Sequence, residues 1–206
     1  MMNFLKIAAA AVTVAIGASF ASSASASTTF ITFGSGGGSG TWTEGLFQFD
    51  QANRNNSAGN CPFSDPACIH VNNGASEAST MSLIGGGTFD LVSFDFELSG
   101  TSTPNTLLVK TGGTAGTTLV TLAVDSALSG IGSINPADNP IQKNTSYRWT
   151  GLIENVTSIT FMSENGGTKR IDTIGVNVVP VPASLPLLLT TLVGGAAFIR
   201  RRKTVR

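Results

Sequence analysis

Between residues 27 and 178 the apolar positions recur mostly at every second residue, in short stretches of Val, Ile, Thr and Phe bounded by Gly, Asn and Pro. That is the pattern of half-buried strands. No window in this interval carries an apolar i, i+3, i+4, i+7 stripe free of Gly or β-branched interruption. The alternation predicts strands over 29–33, 45–49, 81–84, 88–98, 106–110, 117–124, 145–151, 156–162 and 170–178. A series of short strands separated by turn signals predicts an all-β domain, an antiparallel β-sandwich of two packed sheets.

The longest run contains a phase error. Phe89 and Leu91 share one parity, whereas Phe94, Phe96 and Leu98 share the other. One face cannot hold both sets, so a β-bulge is predicted near Val92 and Ser93, with Asp95 and Glu97 left on the solvated side. Val120, Leu122 and Val124 should face inward in the sixth run, and Ile174, Val176 and Val178 in the last. Glycines cluster at 34–40, 85–87, 112–116 and 166–167. None of these clusters opens a helix or completes a phosphate-binding motif, so they read as turns.

The two ends follow different rules. Residues 1–26 run from Lys6 through an apolar stretch at 7–21 to Ala24-Ser25-Ala26, the three-part pattern of a signal peptide with a cleavage site before Ser27. Residues 183–199 form an unbroken run without charge, followed by Arg200, Arg201, Arg202 and Lys203. Such a run is near the lower length limit for a bilayer span, and the basic cluster would stay cytoplasmic. The expected organisation is a signal peptide at 1–26, a β-sandwich at 27–178 and a sorting segment with a transmembrane helix at 179–206. Charge supports this division. All 12 acidic residues lie in the central domain against six basic ones, a net charge of minus six. A surface this acidic argues against nucleic acid as a partner.

Val179-Pro180-Val181-Pro182-Ala183, the apolar span and Arg200-Arg201-Arg202 together resemble the PEP-CTERM sorting signal in its VPLPA variant. Val181 stands where that variant usually has Leu. The resemblance implies signal peptidase and an exosortase as processing partners. It also implies passage through the inner membrane with a transient single-pass anchor, and a final place at the cell surface or in an extracellular matrix with exopolysaccharide. A second resemblance lies in the last third of the domain. Ser158-Ile-Thr-Phe161, a Gly-Gly turn and Arg170-Ile-Asp-Thr-Ile-Gly-Val-Asn-Val178 are similar to the closing hairpin of galactose-binding-like jelly rolls. It implies a jelly-roll-like sandwich and a structural calcium with Asp172 as one ligand; Glu44 and Asp50 are candidate partners. No cofactor is required by the sequence otherwise.

Candidate chemistry is sparse. Cys61 and Cys68 bracket a Pro-containing loop. In an exported protein an isolated pair reads as a disulfide, and closing so short a loop stabilises by about 2–3 kcal/mol. His70 is the single histidine, with Asn72 and Asn73 close behind it; imidazole and amides suit sugar hydroxyls. Trp42, flanked by a Gly/Ser tract and Glu44, is a candidate stacking platform for the same ligand, while Tyr147 and Trp149 read as core. No catalytic residue is assigned, since no nucleophile elbow surrounds a serine and no buried acid pair is legible. The expected role is a non-enzymatic surface or matrix protein that binds glycan. The alternatives are a secreted glycosidase or lyase on the same sandwich and a structural surface protein with no ligand site.

Overall fold

A computed structural model describes residues 27–34, 37–72, 77–137 and 139–178. The signal peptide, the sorting motif with its span and basic tail, and Asn73 lie outside the described residues. Thirteen strands are present: β1 (Thr28–Ile31), β2 (Gly38–Glu44), β3 (Phe47–Asn55), β4 (Cys68–Val71), β5 (Ala78–Leu83), β6 (Phe89–Ser99), β7 (Thr106–Thr111), β8 (Thr117–Ala123), β9 (Ser129–Gly130), β10 (Ser133–Asn135), β11 (Ser146–Val156), β12 (Ser158–Ser163) and β13 (Thr168–Val178). Every pairing is antiparallel. All nine predicted runs form strands. No helix among the described residues is long and apolar enough to cross a membrane.

The two sheets expected from the sequence are one in hydrogen-bonding terms. The order β10-β11-β6-β13-β4-β3-β5-β12-β7-β8-β9 is continuous, with β1 added beside β13 and β2 beside β3. The link is β4, which pairs through His70 with Arg170 of β13 and with Asn53 of β3. The sheet therefore curls on itself as a jelly roll does, and β4 carries it round the bend. Both β4 and β2 escape the period-two reading for physical reasons. β4 is four residues long and begins at a disulfide cysteine, while β2 opens Gly-Ser-Gly, a composition that usually weakens a strand.

The phase error in β6 resolves as predicted. Ser93 and Leu91 oppose the consecutive Gly175 and Val176, so Val92 is the extra residue of a bulge. Matching irregularities occur on both flanking strands, between Thr150 and Ile153 of β11 and between Asp172 and Gly175 of β13. Aligned bulges let three neighbouring strands bend together while each keeps its apolar residues inward.

The core follows the alternation. Phe94 stacks on Trp149 at 5.0 Å between ring centroids, Phe96 stacks on Tyr147 at 5.4 Å, and Phe47 meets Phe89 edge-on at 5.3 Å. Each fully buried aromatic of this kind contributes about 1.5–3 kcal/mol through its apolar area. Trp149 Nε1 donates to the Ile131 carbonyl at 2.8 Å, so its one polar group is satisfied. Gly132 and Gly151 flank the indole: a Cβ on either would lie within 2.6 Å of a ring atom. Val120, Leu122, Val124, Ile174 and Val176 are buried as expected, with Val178 half-buried at the strand end.

Candidate functional site

The registers set six polar side chains in one transverse row. Ser146 of β11 opposes Glu97, Glu97 opposes Arg170, Arg170 opposes His70, His70 opposes Asn53, and Asn53 opposes Ser39 of β2. Directly opposed residues point to the same side of a sheet. A second row, Arg148, Asp95 and Asp172, runs beside the first on that side.

Half of this polar face is covered. The segment between β3 and β4 contains two short 3₁₀ turns, Ala58–Asn60 and Pro62–Ser64, and is closed by the Cys61–Cys68 disulfide, with 5.6 Å between Cα atoms. It lies across β13, β6 and β11. Phe63 N donates to Ser146 Oγ at 3.0 Å, Thr173 Oγ1 donates to Asp65 Oδ2 at 3.1 Å, and Arg170 donates to Asn60 Oδ1 at 3.4 Å. The expectation that Asp95 and Glu97 are solvated is corrected here. They are 1% and 8% exposed, because the stapled loop lies over a face that alternation alone assigns to water. Each is paired: Arg148 makes a two-pronged contact with Asp95 at 2.6 and 2.8 Å, and Arg170 reaches Glu97 at 2.7 Å.

Asp172 has no such partner. Its Oδ1 accepts from Thr173 N at 2.7 Å, whereas the buried Oδ2 lacks a hydrogen bond. Burial pushes its carboxyl up to about 8, the Thr173 amide opposes the rise, and nearby Asp65 and Asp95 add to it. Glu44 and Asp50 are engaged elsewhere, accepting from Thr32 N at 3.0 Å and Gln48 Nε2 at 2.9 Å. Asp95 already gives both oxygens to Arg148, and Thr173 donates to both Asp65 and Asp172. Calcium needs six to eight oxygens, and among the described residues no group of three or more His, Cys, Asp or Glu is arranged to hold a metal ion. Asp172 lines neither of the two grooves described below.

The other half of the face is open. Ser39, Gly40, Gln51, Asn53, His70 and Glu77 line a groove of about 290 Å³. Asn53 and Ser39 come from the transverse row, and Gln51 sits at φ +57° in β3. Glu77 is held from behind by the Asn72 amide at 3.1 Å. Burial lowers the His70 pKa, the Asn60 carbonyl opposes the shift, and Arg170 adds to it. His70 Nε2 lies 3.4 Å from that carbonyl, which can only accept, so this contact is made by the tautomer protonated at Nε2.

Of the residues singled out as glycan contacts, then, His70 lines the groove and Asn72 supports it through its backbone. Trp42 differs from expectation. It is half-buried, 5.2 Å from Phe33 and 5.6 Å from Phe49, and the Arg54 guanidinium sits 5.0 Å over its ring. The ring packs at the core edge beside Phe33 and Phe49, on a strand whose pairing with β3 has an irregularity between Gly40 and Trp42. Ser39, Gln51, Asn53 and Glu77 were missed. The alternation of Gln51 and Asn53 along β3 was the available signal, but β2, with Ser39, read as a turn, and Glu77 lies just before β5.

No known family model matches the chain, and no curated protein matches it. Among solved structures it is similar to the CBM22-1 and GH10 modules of an endo-1,4-β-D-xylanase from Clostridium thermocellum complexed with xylohexaose. That match has a TM-score of 0.41 and 7% identity over 65% of this chain. The chain spans about a quarter of that structure, 26%. It is also similar to a CBM22-1 xylan-binding domain from Paenibacillus barcinonensis, with a TM-score of 0.40 and 13% identity over 74% of this chain and 94% of that one.

Proposed function

We propose that this chain is an exported, non-enzymatic surface or matrix protein whose sandwich binds glycan through the groove lined by Gln51, Asn53, His70 and Glu77. The groove's chemistry is the observation that carries the reading. It gathers amides, a hydroxyl, a carboxylate and an imidazole, most of them on paired strands that hold them in place. Such a set offers both donors and acceptors to sugar hydroxyls, and strands position it better than a loop would. Its volume of about 290 Å³ suits one sugar unit better than a buried chain. The groove has no aromatic floor, so affinity would come from repeated weak contacts along a polysaccharide.

Delivery rests on the tail. Val179-Pro180-Val181-Pro182-Ala183, the apolar span and the arginines are read as an exosortase signal, and Ser27 as the first residue after signal peptidase. If Asp172 helps to hold a structural calcium, chelation should lower the melting temperature through loss of a native-state ligand, and an unchanged melting temperature would rule it out. The deciding experiment for the groove is affinity electrophoresis of the exported protein in gels containing neutral polysaccharides. Retardation by at least one of them, lost in Asn53→Ala/Gln51→Ala with thermal stability unchanged, supports glycan binding. Equal migration of parent and variant in every gel refutes it and leaves the purely structural role. For sorting, Pro180→Ala/Pro182→Ala should accumulate as uncleaved precursor; normal processing of that variant would rule out the exosortase.

A further inference from the structure

The large apolar side chains that the fold leaves in water are not scattered. Six are substantially exposed among the described residues: Phe30, Leu46, Phe63, Ile84, Ile131 and Leu152. Leu46, Ile84, Ile131 and Leu152 belong to one pole. Ile84 N donates to the Leu46 carbonyl at 2.8 Å, which joins the β2–β3 turn to the end of β5. Ser82 of β5 opposes Ser158, so the Leu83–Ile84 step lies beside Thr157 at the β11–β12 turn. Thr157 in turn lines a groove of about 670 Å³ whose walls include Leu119, Ile131 and Leu152. The bulge on β11 that follows Thr150 is what turns Leu152 outward, to 49% exposure.

The first described strand begins, and the last one ends, at the same pole. Val156 of β11 opposes Phe89, and Phe89 opposes Val178, the last residue of β13. Thr28 opposes Asn177 and donates to its side chain at 2.7 Å. Only four residues, 179–182, separate Val178 from the uncharged run at 183–199. At about 3.3–3.6 Å per residue, five steps reach at most roughly 18 Å. Any bilayer that holds this run therefore lies within that distance of the pole.

We propose that this pole is a lipid-facing surface, with Leu46, Ile84, Ile131 and Leu152 resting on the bilayer that holds the tail. This rests on the anchoring reading above. Charge defines the lipid it suits. The charged side chain lining the groove is Glu154, Asp90 beside it accepts from Asn155 N at 2.8 Å, and Lys110 on neighbouring β7 folds back onto the Thr114 carbonyl. With acids unpaired by exposed cations, the contact would be apolar and indifferent to salt, and stronger on zwitterionic than on anionic lipid.

Trp149 supplies an internal probe, because its indole donates to the Ile131 carbonyl directly behind the groove. The test uses the full chain with Trp42→Phe, reconstituted in phosphatidylcholine vesicles whose acyl chains carry bromine just below the headgroups. Co-sedimentation with strong quenching of Trp149, unchanged from low to high salt, is the expected result. Ile131→Gln/Leu152→Gln should at least halve the quenching while co-sedimenting and melting as the parent does. Leu46→Gln/Ile84→Gln provides a second variant, in the β2–β3 turn and just past the end of β5, and should also reduce it. A chain that co-sediments without quenching, or variants quenched like the parent, overturn the lipid surface but leave the anchor standing. Absence of co-sedimentation overturns both. A concentration-dependent dimer that protects Leu152 and abolishes quenching would assign the pole to a second copy and likewise overturn the proposal.

Discussion

Strand β13 buries two ionisable side chains three residues apart, and it treats them in opposite ways. Lys169 points inward at the β12–β13 turn and is fully buried. Its ammonium donates to Ser163 Oγ at 2.7 Å, to the Gly166 and Gly167 carbonyls at 2.8 and 3.2 Å, and to the Asn165 carbonyl. Asp172 points to the other side, beneath the stapled loop, among carboxylates. Burial pushes Lys169 down to about 8 and Asp172 up to about 8. The base is surrounded by oxygens that satisfy every proton it carries. The acid has one amide donor and an orphaned oxygen, so holding its own proton is the cheapest solution. Equal burial thus yields a structural clasp at one site and a protonated carboxyl at the other.

Breaking the clasp should cost most. Lys169→Met leaves Ser163 and three turn carbonyls without their common donor, whereas even a neutral lysine still donates. A loss of about 3 kcal/mol is expected in urea denaturation. The parent's stability should also rise with pH between about 8 and 10.5, because the native state releases the Lys169 proton before the unfolded chain does. The Met variant should lack this rise.

Opening the staple comes next. Cys61→Ser/Cys68→Ser should cost about 2–3 kcal/mol and raise hydrogen exchange at the Phe63 and Thr173 amides. Unchanged exchange there would mean that the loop stays seated without its disulfide.

Asp172→Asn should move stability the other way. The native carboxyl keeps its proton from about pH 3.8 to about 8, a window in which the unfolded one has lost it. Parental stability therefore falls as pH rises across that window. The amide cannot ionise, so the variant should be more stable than the parent at pH 8 by about 1–3 kcal/mol and indistinguishable below pH 4. A uniform gain at all pH values would point to packing instead. The smallest effect belongs to the open half of the face. Asn53→Ala should change stability by less than about 0.5 kcal/mol, so any loss of glycan retention there reports binding alone.

How much of this was legible varies with the range of the interaction responsible. The period-two alternation specified nine strands, the buried residues of β8 and β13, and the Val92 bulge, because each depends on neighbours along one strand. The disulfide was legible from an isolated pair of cysteines in a chain read as exported. Most of the groove was not, since Ser39, Gln51, Asn53 and Glu77 come from three places in the chain and meet only once β2 pairs with β3.

The sequence by itself determined an all-β antiparallel domain, its inward faces, its stapled loop and an acidic charge balance, all of them consequences of local pattern and composition. Tertiary structure decided what covers each outward face. Alternation can say that Asp95 and Glu97 leave the core, but it cannot say that residues 56–67 return to lie over them, because that contact spans strands far apart in the chain. It assigns Asp172 to the face of Ile174, which the irregularity between Asp172 and Gly175 reverses. The same holds for Lys169, whose oxygens come from the turn before it, and for Trp42, whose ring is enclosed by Phe33, Phe49 and Arg54. Side-chain direction is a local property of a strand, whereas solvation depends on what the rest of the chain places above it.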